Sequence, residues 1–205
     1  GNFFMETAVI IKNQTIRLQG RLAEGTADKG VVVTHPHPLY GGNMDNPVVN
    51  EAVCAFAAKG FTTLRFNFRG TGGSTGMYDN GQGEQSDVTK ALGFLKDRGC
   101  KTLVLAGYSF GSRINASVVA GGCDITDHIM ISPPVAFMSF DDIDTLPFTG
   151  LIITGENDEI APPKQVQAHI DRWRIRPKFQ ILPKCDHFYS GCLDPLHKAL
   201  LHYIS

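Results

Sequence analysis

The stretch that decides the fold is Leu103–Val119, LVLAGYSFGSRINASVV, which contains a G-x-S-x-G pentapeptide centred on Ser109. The apolar run before the pentapeptide is typical of a buried strand, and the apolar-faced run after it is typical of a helix. A serine at such a junction sits on a sharp turn that lifts its Oγ clear of the sheet. The free N–H groups of the helix N-terminus then face a developing oxyanion. The pattern predicts a nucleophile at Ser109.

A second G-x-S-x-G pentapeptide is centred on Ser74, within the glycine-rich segment 70–83. It follows a strand-like run only after the intervening tripeptide RGT, and no helical pattern begins before Glu84. The segment also matches neither of the glycine-rich motifs that bind phosphate. We therefore expect a surface loop around Ser74 and assign the nucleophile to Ser109.

The rest of the chain alternates short β-branched runs with longer segments of helical period. The short runs predict eight strands, at 7–13, 15–24, 29–35, 61–68, 101–107, 127–133, 149–155 and 177–183, and the longer segments predict helices at 47–59, 84–97, 109–120, 162–173 and 193–204. The inner runs are apolar throughout, as in strands buried on both faces, whereas the first two mix in polar residues as an antiparallel edge does. An α/β fold follows, with a mostly parallel sheet and helices on both faces.

The composition bounds the class of protein. A chain of 205 residues has the length of one domain, which we expect to span 1–205. The 19 basic residues nearly balance the 20 acidic ones, so there is no electrostatic basis for binding nucleic acid or an anionic membrane. No apolar run approaches the roughly 18 residues of a membrane span. We expect a small-molecule ligand, and a chain that is a monomer or a homodimer.

The five cysteines show no C-x-x-C spacing, and an odd number cannot all pair within one chain. This favours reduced thiols and a cytoplasmic location. The first residues also lack the basic and apolar regions of a signal peptide. For Cys185 and Cys192, near the end of the chain, we expect packing rather than reactivity.

A serine nucleophile needs a base, usually histidine, that a buried carboxylate orients. In the chain order serine, acid, histidine, the histidine lies just before the last helix. His187, which follows the last predicted strand, fits this place, whereas the other histidines fall on helices, at a strand start or in another loop. The acid lies in GENDEI (155–160), where Asp158 is favoured over Glu156 because it sits deeper in the loop and has the shorter side chain.

His35 and His37 form an H-x-H pair that resembles a metal-binding motif. No carboxylate or cysteine cluster lies near them at ligand spacing. We expect loop-fixing hydrogen bonds at these histidines, with no metal and no cofactor.

Together these residues resemble the α/β-hydrolase superfamily, and in particular its small, lidless, dienelactone-hydrolase-like members. The resemblance covers almost the whole chain through five blocks in the family order: THPHPLYGGNMDN (34–46), FNFRGTGGSTG (66–76), GYSFG (107–111), GENDEI (155–160) and CDHFY (185–189). It implies a cofactor-independent serine hydrolase that cleaves small carboxylic esters through an acyl-enzyme. Dienelactone hydrolases use a cysteine nucleophile, so Ser109 removes any implication of lactone specificity. The short run 134–150, where capped relatives insert a lid, implies no large cap domain.

The resemblance also implies an oxyanion hole made by the backbone N–H of Phe110 and by one from the loop after the third strand. Pro36 and Pro38 have no N–H, which leaves His37 or Leu39. The strand end favours His37 and the following glycine turn favours Leu39, with a slight preference for Leu39. An apolar substrate pocket is expected from the aromatic and sulfur side chains of these loops, chiefly Tyr40, Tyr108, Phe137, Met138 and Phe188, with Tyr78, Phe110 and Tyr189 nearby. The Ser74 loop is expected to shape the pocket.

The same triad also serves thioesterases, acyl-peptide hydrolases and cofactor-free perhydrolases, and no local feature of the sequence separates these activities. A non-catalytic ligand-binding protein of the same fold is the alternative from another class. Such proteins usually lose a member of the triad, whereas all three residue types are present here.

Overall fold

The computed structural model describes residues 4–26 and 28–205, so positions 1–3 and 27 of the expected domain lie outside the described residues. The described strands are β1 (Thr7–Asn13), β2 (Ile16–Ala23), β3 (Lys29–Thr34), β4 (Thr62–Phe66), β5 (Thr102–Tyr108), β6 (Asp127–Ile131), β7 (Thr149–Gly155) and β8 (Lys178–Leu182). The α-helices are α1 (Pro47–Ala58), α2 (Gln82–Asp97), α3 (Phe110–Ala120), α4 (Pro163–Trp173) and α5 (Leu193–Tyr203), and a 3-10 turn spans Pro38–Tyr40.

The strands form one eight-stranded sheet in the order β1-β2-β4-β3-β5-β6-β7-β8. The β1–β2 and β2–β4 pairs are antiparallel, and the other neighbours are parallel. The predicted mostly parallel sheet with an antiparallel edge is therefore confirmed. Because the carboxyl ends of parallel strands meet at one edge, the loops that follow β3, β4, β5, β6, β7 and β8 converge there.

Helices cover both faces of the sheet, as predicted. Successive side chains of a strand point to opposite faces, so Val32 joins one core while Val31 and Val33 join the other. The first core is completed by apolar side chains of α2, α3 and α4, and the second by those of α1 and α5. Full burial of one aliphatic side chain contributes about 1.5–3 kcal/mol to the free energy of folding. The two cores therefore stabilise the packing of the sheet between its two helical layers.

Two glycines let α3 pack closely against the sheet beside Ser109. A Cβ on Gly111 would lie 2.7 Å from the backbone carbonyl of Thr34, and one on Gly107 would lie 2.7 Å from the backbone nitrogen of Ser112. Real Cβ atoms do not approach backbone this closely, so both positions of the pentapeptide require glycine. The strand β3 and the helix α3 are thereby held in contact at the point where the serine emerges.

The segment between β6 and β7, residues 132–148, contains no helix or strand. It leaves the carboxyl edge of the sheet without a large cap domain, as expected. Within the described part of the chain, no helix is both long and apolar enough to cross a membrane.

Candidate active site

Ser109 occupies the turn between β5 and α3, and its backbone is in the left-handed region with φ 53° and ψ −119°. A non-glycine residue persists in this region only where its surroundings hold it. The N–H of Ser109 donates to the carbonyl of Ile131 on the neighbouring strand at 2.9 Å, and the hydroxyl of Ser112 donates to the Ser109 carbonyl at 2.7 Å. These bonds hold the strained turn and direct Oγ toward the carboxyl edge of the sheet.

The structure brings together the three side chains that sequence reasoning selected. Ser109 Oγ lies 2.9 Å from His187 Nε2, and His187 Nδ1 lies 3.0 Å from both carboxylate oxygens of Asp158. All three residues are buried. Glu156, the alternative acid, instead accepts a hydrogen bond from the N–H of Lys184 at 2.8 Å and is exposed.

The Asp158 carboxylate is held as an anion. Burial by itself raises the pKa of Asp158. The hydrogen bond and charge of His187, together with the N–H of Ala161, lower it by more than burial raises it, so the net pKa lies below the usual range. The N–H groups of Ile160 and Ala161 donate to Oδ1 at 3.0 and 2.6 Å. An ionised carboxylate only accepts hydrogen bonds, so Nδ1 of His187 carries the proton and Nε2 faces Ser109 as an acceptor.

The loop that carries His187 is fixed at two points. Tyr108, at the end of β5, donates its hydroxyl proton to the carbonyl of His187 at 2.7 Å. Cys185 and Cys192 form a disulfide across the loop, which corrects the expectation that they pack as free thiols. Left-handed turns at Tyr189 and Gly191 fold the chain back and bring the two Cα atoms within 5.8 Å. Spacing rules miss a pair seven residues apart that only this turn brings together.

Several N–H groups of the loop after β3 donate to acceptors within the loop. Leu39 N–H donates to His37 Nδ1 at 3.2 Å, while Tyr40 and Gly42 N–H groups donate to the His37 carbonyl at 3.1 and 2.9 Å. Leu39 is also 63% exposed, whereas His37 and Phe110 line the pocket beside Ser109. The hydrogen bond to His37 argues against Leu39 as an oxyanion donor.

His35 is a structural histidine. Its Nε2 accepts from the N–H of Phe68 at 3.0 Å, so Nδ1 carries the proton and donates to the Pro36 carbonyl at 2.7 Å. Burial lowers the pKa of His35 to about 4, which keeps the ring neutral. His35 thus ties the loop after β3 to the loop after β4. Across residues 4–26 and 28–205, no group of three or more histidine, cysteine or acidic side chains is arranged to hold a metal ion.

A pocket of about 340 Å³ opens beside Ser109. It is lined by all five side chains singled out for it, Tyr40, Tyr108, Phe137, Met138 and Phe188, together with Pro36, His37, Gly41, Gly42, Asn46, Phe110, Pro134 and Ile160. Among the described residues that line it, none is Asp, Glu, Lys or Arg. Asn46, Pro134 and Ile160 were missed because only the folded loops bring them to the pocket. The pocket therefore suits a neutral, mainly apolar ligand.

Ser74 does not line this pocket, contrary to the expectation that its loop shapes it. Its hydroxyl donates to the Asn67 carbonyl at 2.7 Å and accepts from the N–H of Gln19 at 2.9 Å. Ser74 thus joins the glycine-rich loop to β2. Arg69 secures the same loop through hydrogen bonds to Asp87 of α2.

No family model matches the chain. The chain is similar to an uncharacterized protein of Rickettsia prowazekii (strain Madrid E), at 36% identity over 200 residues that cover 92% of this chain and 84% of the relative.

Two solved structures are similar over nearly their whole length. One is an α/β serine hydrolase homologue from Coxiella burnetii, with a TM-score of 0.91 and 30% identity, covering 100% of both chains. The other is a lidless member of the α/β serine hydrolases from Xanthomonas campestris, with a TM-score of 0.88 and 30% identity, covering 96% of this chain and 92% of the other. The lidless description of the second structure agrees with the uncapped sheet described above.

Proposed function

Because this chain belongs to the α/β-hydrolase superfamily and is similar to an α/β serine hydrolase homologue and to a lidless α/β serine hydrolase, we propose that it is a carboxylesterase acting on small esters. The observation that carries the proposal is the line of contacts from Ser109 through His187 to Asp158, with 2.9 Å between Oγ and Nε2 and 3.0 Å between Nδ1 and each carboxylate oxygen. Ser109 is the proposed nucleophile, His187 the base and Asp158 the acid that orients the base.

The first half of the reaction forms an acyl-enzyme. Nε2 of His187 takes the Ser109 proton as Oγ attacks the ester carbonyl carbon, and the Asp158 anion stabilises the resulting imidazolium. The tetrahedral intermediate then collapses: the bond to the alcohol oxygen breaks, and Nε2–H donates its proton to the leaving alcohol. The acyl group remains on Ser109.

The second half of the reaction restores the serine. His187 takes a proton from a water molecule, which attacks the acyl carbonyl carbon. The bond to Oγ breaks, and the proton on Nε2 returns to Ser109. The products are a carboxylic acid and an alcohol, and this chemistry requires no cofactor.

The proposed oxyanion hole consists of the N–H groups of Phe110 and His37. Phe110 is the first residue of α3, where a backbone N–H has no partner within the helix. His37 is preferred over Leu39 because the Leu39 N–H already donates to the His37 imidazole.

The pocket supports a small and neutral substrate. Its volume of about 340 Å³ lies at the lower end of the range of roughly 300–1,000 Å³ typical of ligand sites. The uncharged lining disfavours acidic or basic substituents, because a buried charge without a partner is costly. Apolar acyl or alcohol groups on aromatic and aliphatic walls are the expected occupants.

We propose a cytoplasmic location for the protein, as a monomer or homodimer with a small-molecule ester as its partner. Cys54, Cys100 and Cys123 are free thiols, in agreement with that location. The Cys185–Cys192 disulfide weighs against it, because such bonds are rare in reducing compartments. Thiol labelling of the protein in intact cells measures the state of this pair.

The first test is hydrolysis of short-chain p-nitrophenyl esters by wild type and Ser109→Ala. We expect the substitution to lower kcat by about 10⁴-fold or more, because removal of the nucleophile disables the triad as a unit. Ser74→Ala is the matched control: it removes a buried serine hydroxyl of the other G-x-S-x-G pentapeptide, outside the pocket, and should leave kcat within about threefold.

Activity that survives Ser109→Ala contradicts the assignment. A fluorophosphonate probe should label the wild type at Ser109. Absence of labelling together with absence of hydrolysis supports the non-catalytic binding alternative. A panel of thioesters, acyl-peptides and peracid formation with hydrogen peroxide separates esterase activity from the alternatives that share the triad.

A further inference from the structure

A tight turn between β6 and β7 supplies part of the pocket wall. Phe137 and Met138 of this turn both line the pocket. Their N–H groups donate to the carbonyl of Pro134 at 3.0 and 2.8 Å, which closes the turn. The N–H of Ala136 donates to the carbonyl of Ile160 at 3.0 Å. The turn is therefore attached to the loop that follows β7.

Two arginines fix the chain that comes directly after this turn. Arg113 of α3 donates through Nε to the carbonyl of Ser139 at 2.8 Å and through Nη2 to the Asp142 carboxylate at 2.7 Å. Arg172 of α4 donates to the carbonyl of Phe140 at 2.7 Å. Hydrogen bonds from a charged donor are roughly twice as strong as neutral ones. Helices α3 and α4 thus hold the same stretch of backbone.

The ring of Phe140 anchors that stretch in the first core. It is 1% exposed and packs against Trp173 with ring centroids 5.5 Å apart. The guanidinium of Arg113 lies over the same ring, 4.9 Å from its centroid. A ring enclosed at the density of a protein interior has little room to shift. Phe137, three residues earlier, therefore extends from a backbone that is held on both sides.

The side chain of Phe137 meets a second aromatic ring at the pocket. Its ring centroid lies 5.9 Å from that of Tyr40 in an edge-to-face arrangement, within the usual range for aromatic contacts. Tyr40 belongs to the loop after β3, and both rings line the pocket. Because the two rings touch where both border the pocket, the pocket ends at their contact.

We propose that Phe137 is a specificity-determining residue that limits the length of the apolar group an ester can place in the pocket, and that Arg113 is the positioning residue that holds it there. This inference deepens the proposed function and rests on it. A longer group must push the Phe137 ring away from Tyr40. The backbone cannot follow, because Arg113, Arg172 and the buried ring of Phe140 hold it in place.

Shortening Phe137 tests the limit on length. The matched control is Phe148→Ala, because Phe148 lies in the same β6–β7 segment, is 58% exposed against 57% for Phe137, and does not line the pocket. In Phe137→Ala we expect kcat/KM for p-nitrophenyl octanoate, relative to the butyrate, to rise about tenfold or more over the wild-type ratio, since each methylene in an apolar pocket is worth about tenfold or more. The control should keep the wild-type ratio.

A second ester series covers the case in which the alcohol group, rather than the acyl group, occupies the pocket. Hexyl acetate should then gain over ethyl acetate in Phe137→Ala by a similar factor. A gain in either series bears out the limit. Ratios in Phe137→Ala that equal those of Phe148→Ala in both series overturn it.

Arg113→Met tests the positioning role, because methionine keeps an unbranched apolar stem and loses the charged donors. We expect it to raise the same ratio of long to short ester. The control is Arg98→Met, since the Arg98 guanidinium also lies over a phenylalanine ring, that of Phe94, at 4.3 Å. The double variant Arg113→Met/Phe137→Ala should match Phe137→Ala alone if Arg113 acts through Phe137. Multiplied gains, or equal ratios in Arg113→Met and Arg98→Met, overturn that role.

Ligand binding separates failure of the length limit from failure of the proposed function. Butyramide and octanamide are neutral analogues of the esters, and their dissociation constants can be measured by NMR titration without turnover. We expect octanamide to gain about tenfold over butyramide in Phe137→Ala and not in Phe148→Ala. If the wild type neither hydrolyses esters nor reacts with the fluorophosphonate, the esterase proposal fails while these constants still test the limit. Equal binding ratios in the two variants overturn it.

Discussion

At the scale of single residues, the loop after β3 shows how hydrogen bonds assign a role that residue types leave open. His37 and Leu39 both carry an N–H, and both lie in the loop after β3, between Pro36 and the glycine turn at 41–42. The His37 imidazole accepts the Leu39 N–H at 3.2 Å. Burial lowers the pKa of His37, which keeps the ring able to accept that bond. A donor already in use at the surface is poorly placed to bind an oxyanion.

Substitution of His37 by proline tests its proposed N–H role. The φ of His37 is −58°, close to the value that proline imposes, so His37→Pro removes the N–H with little change of backbone. His37→Ala is the control, since it removes the imidazole and keeps the N–H. We expect kcat of the proline variant to be about 10²–10³-fold below that of the alanine variant. Equal rates in an ester assay would exclude the His37 N–H from the oxyanion hole.

At the scale of elements, the turn between β5 and α3 that carries Ser109 depends on the close contact of β3, β5 and α3. Thr34 at the end of β3 meets Gly111 in the first turn of α3, and Asn115 of the same helix donates to Thr34 Oγ1 at 2.9 Å. These contacts therefore fix the position of Ser109, the N-cap of α3, at the end of the sheet. The loop with His37 starts from the same end of β3.

Gly111→Ala should separate α3 from β3. The added Cβ would meet the carbonyl carbon of Thr34 at 2.7 Å, and such overpacking costs about 1–3 kcal/mol. Gly93→Ala on α2 is the matched control, because its Cβ meets nothing within 4 Å and alanine is the better helix former by up to about 1 kcal/mol. Urea unfolding should show a lower free energy of unfolding for Gly111→Ala than for the wild type, and a higher one for Gly93→Ala. A Gly111→Ala variant with the same free energy of unfolding as the wild type would contradict the close packing of α3 against β3.

The sequence predicted most of this architecture because its signals are local. A buried strand such as β5 is signalled by a short run that is apolar throughout, and a helix such as α3 by an apolar face of helical period. The proposed nucleophile, acid and base were predicted from the places of Ser109, Asp158 and His187 relative to those elements. Pocket residues such as Asn46 and Ile160 carry no local signal, since only the converging loops bring them together.

At the scale of the whole molecule, buried neutral histidines link stability to pH. Burial lowers the pKa of His35 to about 4 and that of His128 to about 3. His128 Nδ1 contacts Thr149 Oγ1 at 2.8 Å between β6 and β7, and His35 joins two loops at the carboxyl edge. Both rings stay neutral in the folded protein, whereas in the unfolded chain they take up protons near pH 6.5.

The unfolded chain binds more protons than the folded one at any pH between about 6.5 and the two lowered pKa values. The contribution of these two neutral histidines to the free energy of unfolding is therefore fully present above about pH 6.5, and it is lost as the pH falls from about 6.5 towards 4. We expect the free energy of unfolding to fall on the order of 1–2 kcal/mol per histidine between pH 7 and pH 5, measured by urea denaturation. His128→Gln should reduce this dependence, while His202→Gln, at an exposed position, should not. An unchanged pH dependence in His128→Gln would exclude His128 as a source.

The sequence by itself determined the sheet and the helices on both faces, and it predicted Ser109 over Ser74 as the nucleophile and the chain order of nucleophile, acid and base. These follow from periodicity and from the strand–turn–helix pattern, which a short stretch of chain contains in full. Only the tertiary structure decided that Leu39 gives its N–H to His37 and that Cys185 pairs with Cys192. Each of these depends on the ångström-scale distance between groups that folding, rather than local sequence, brings together.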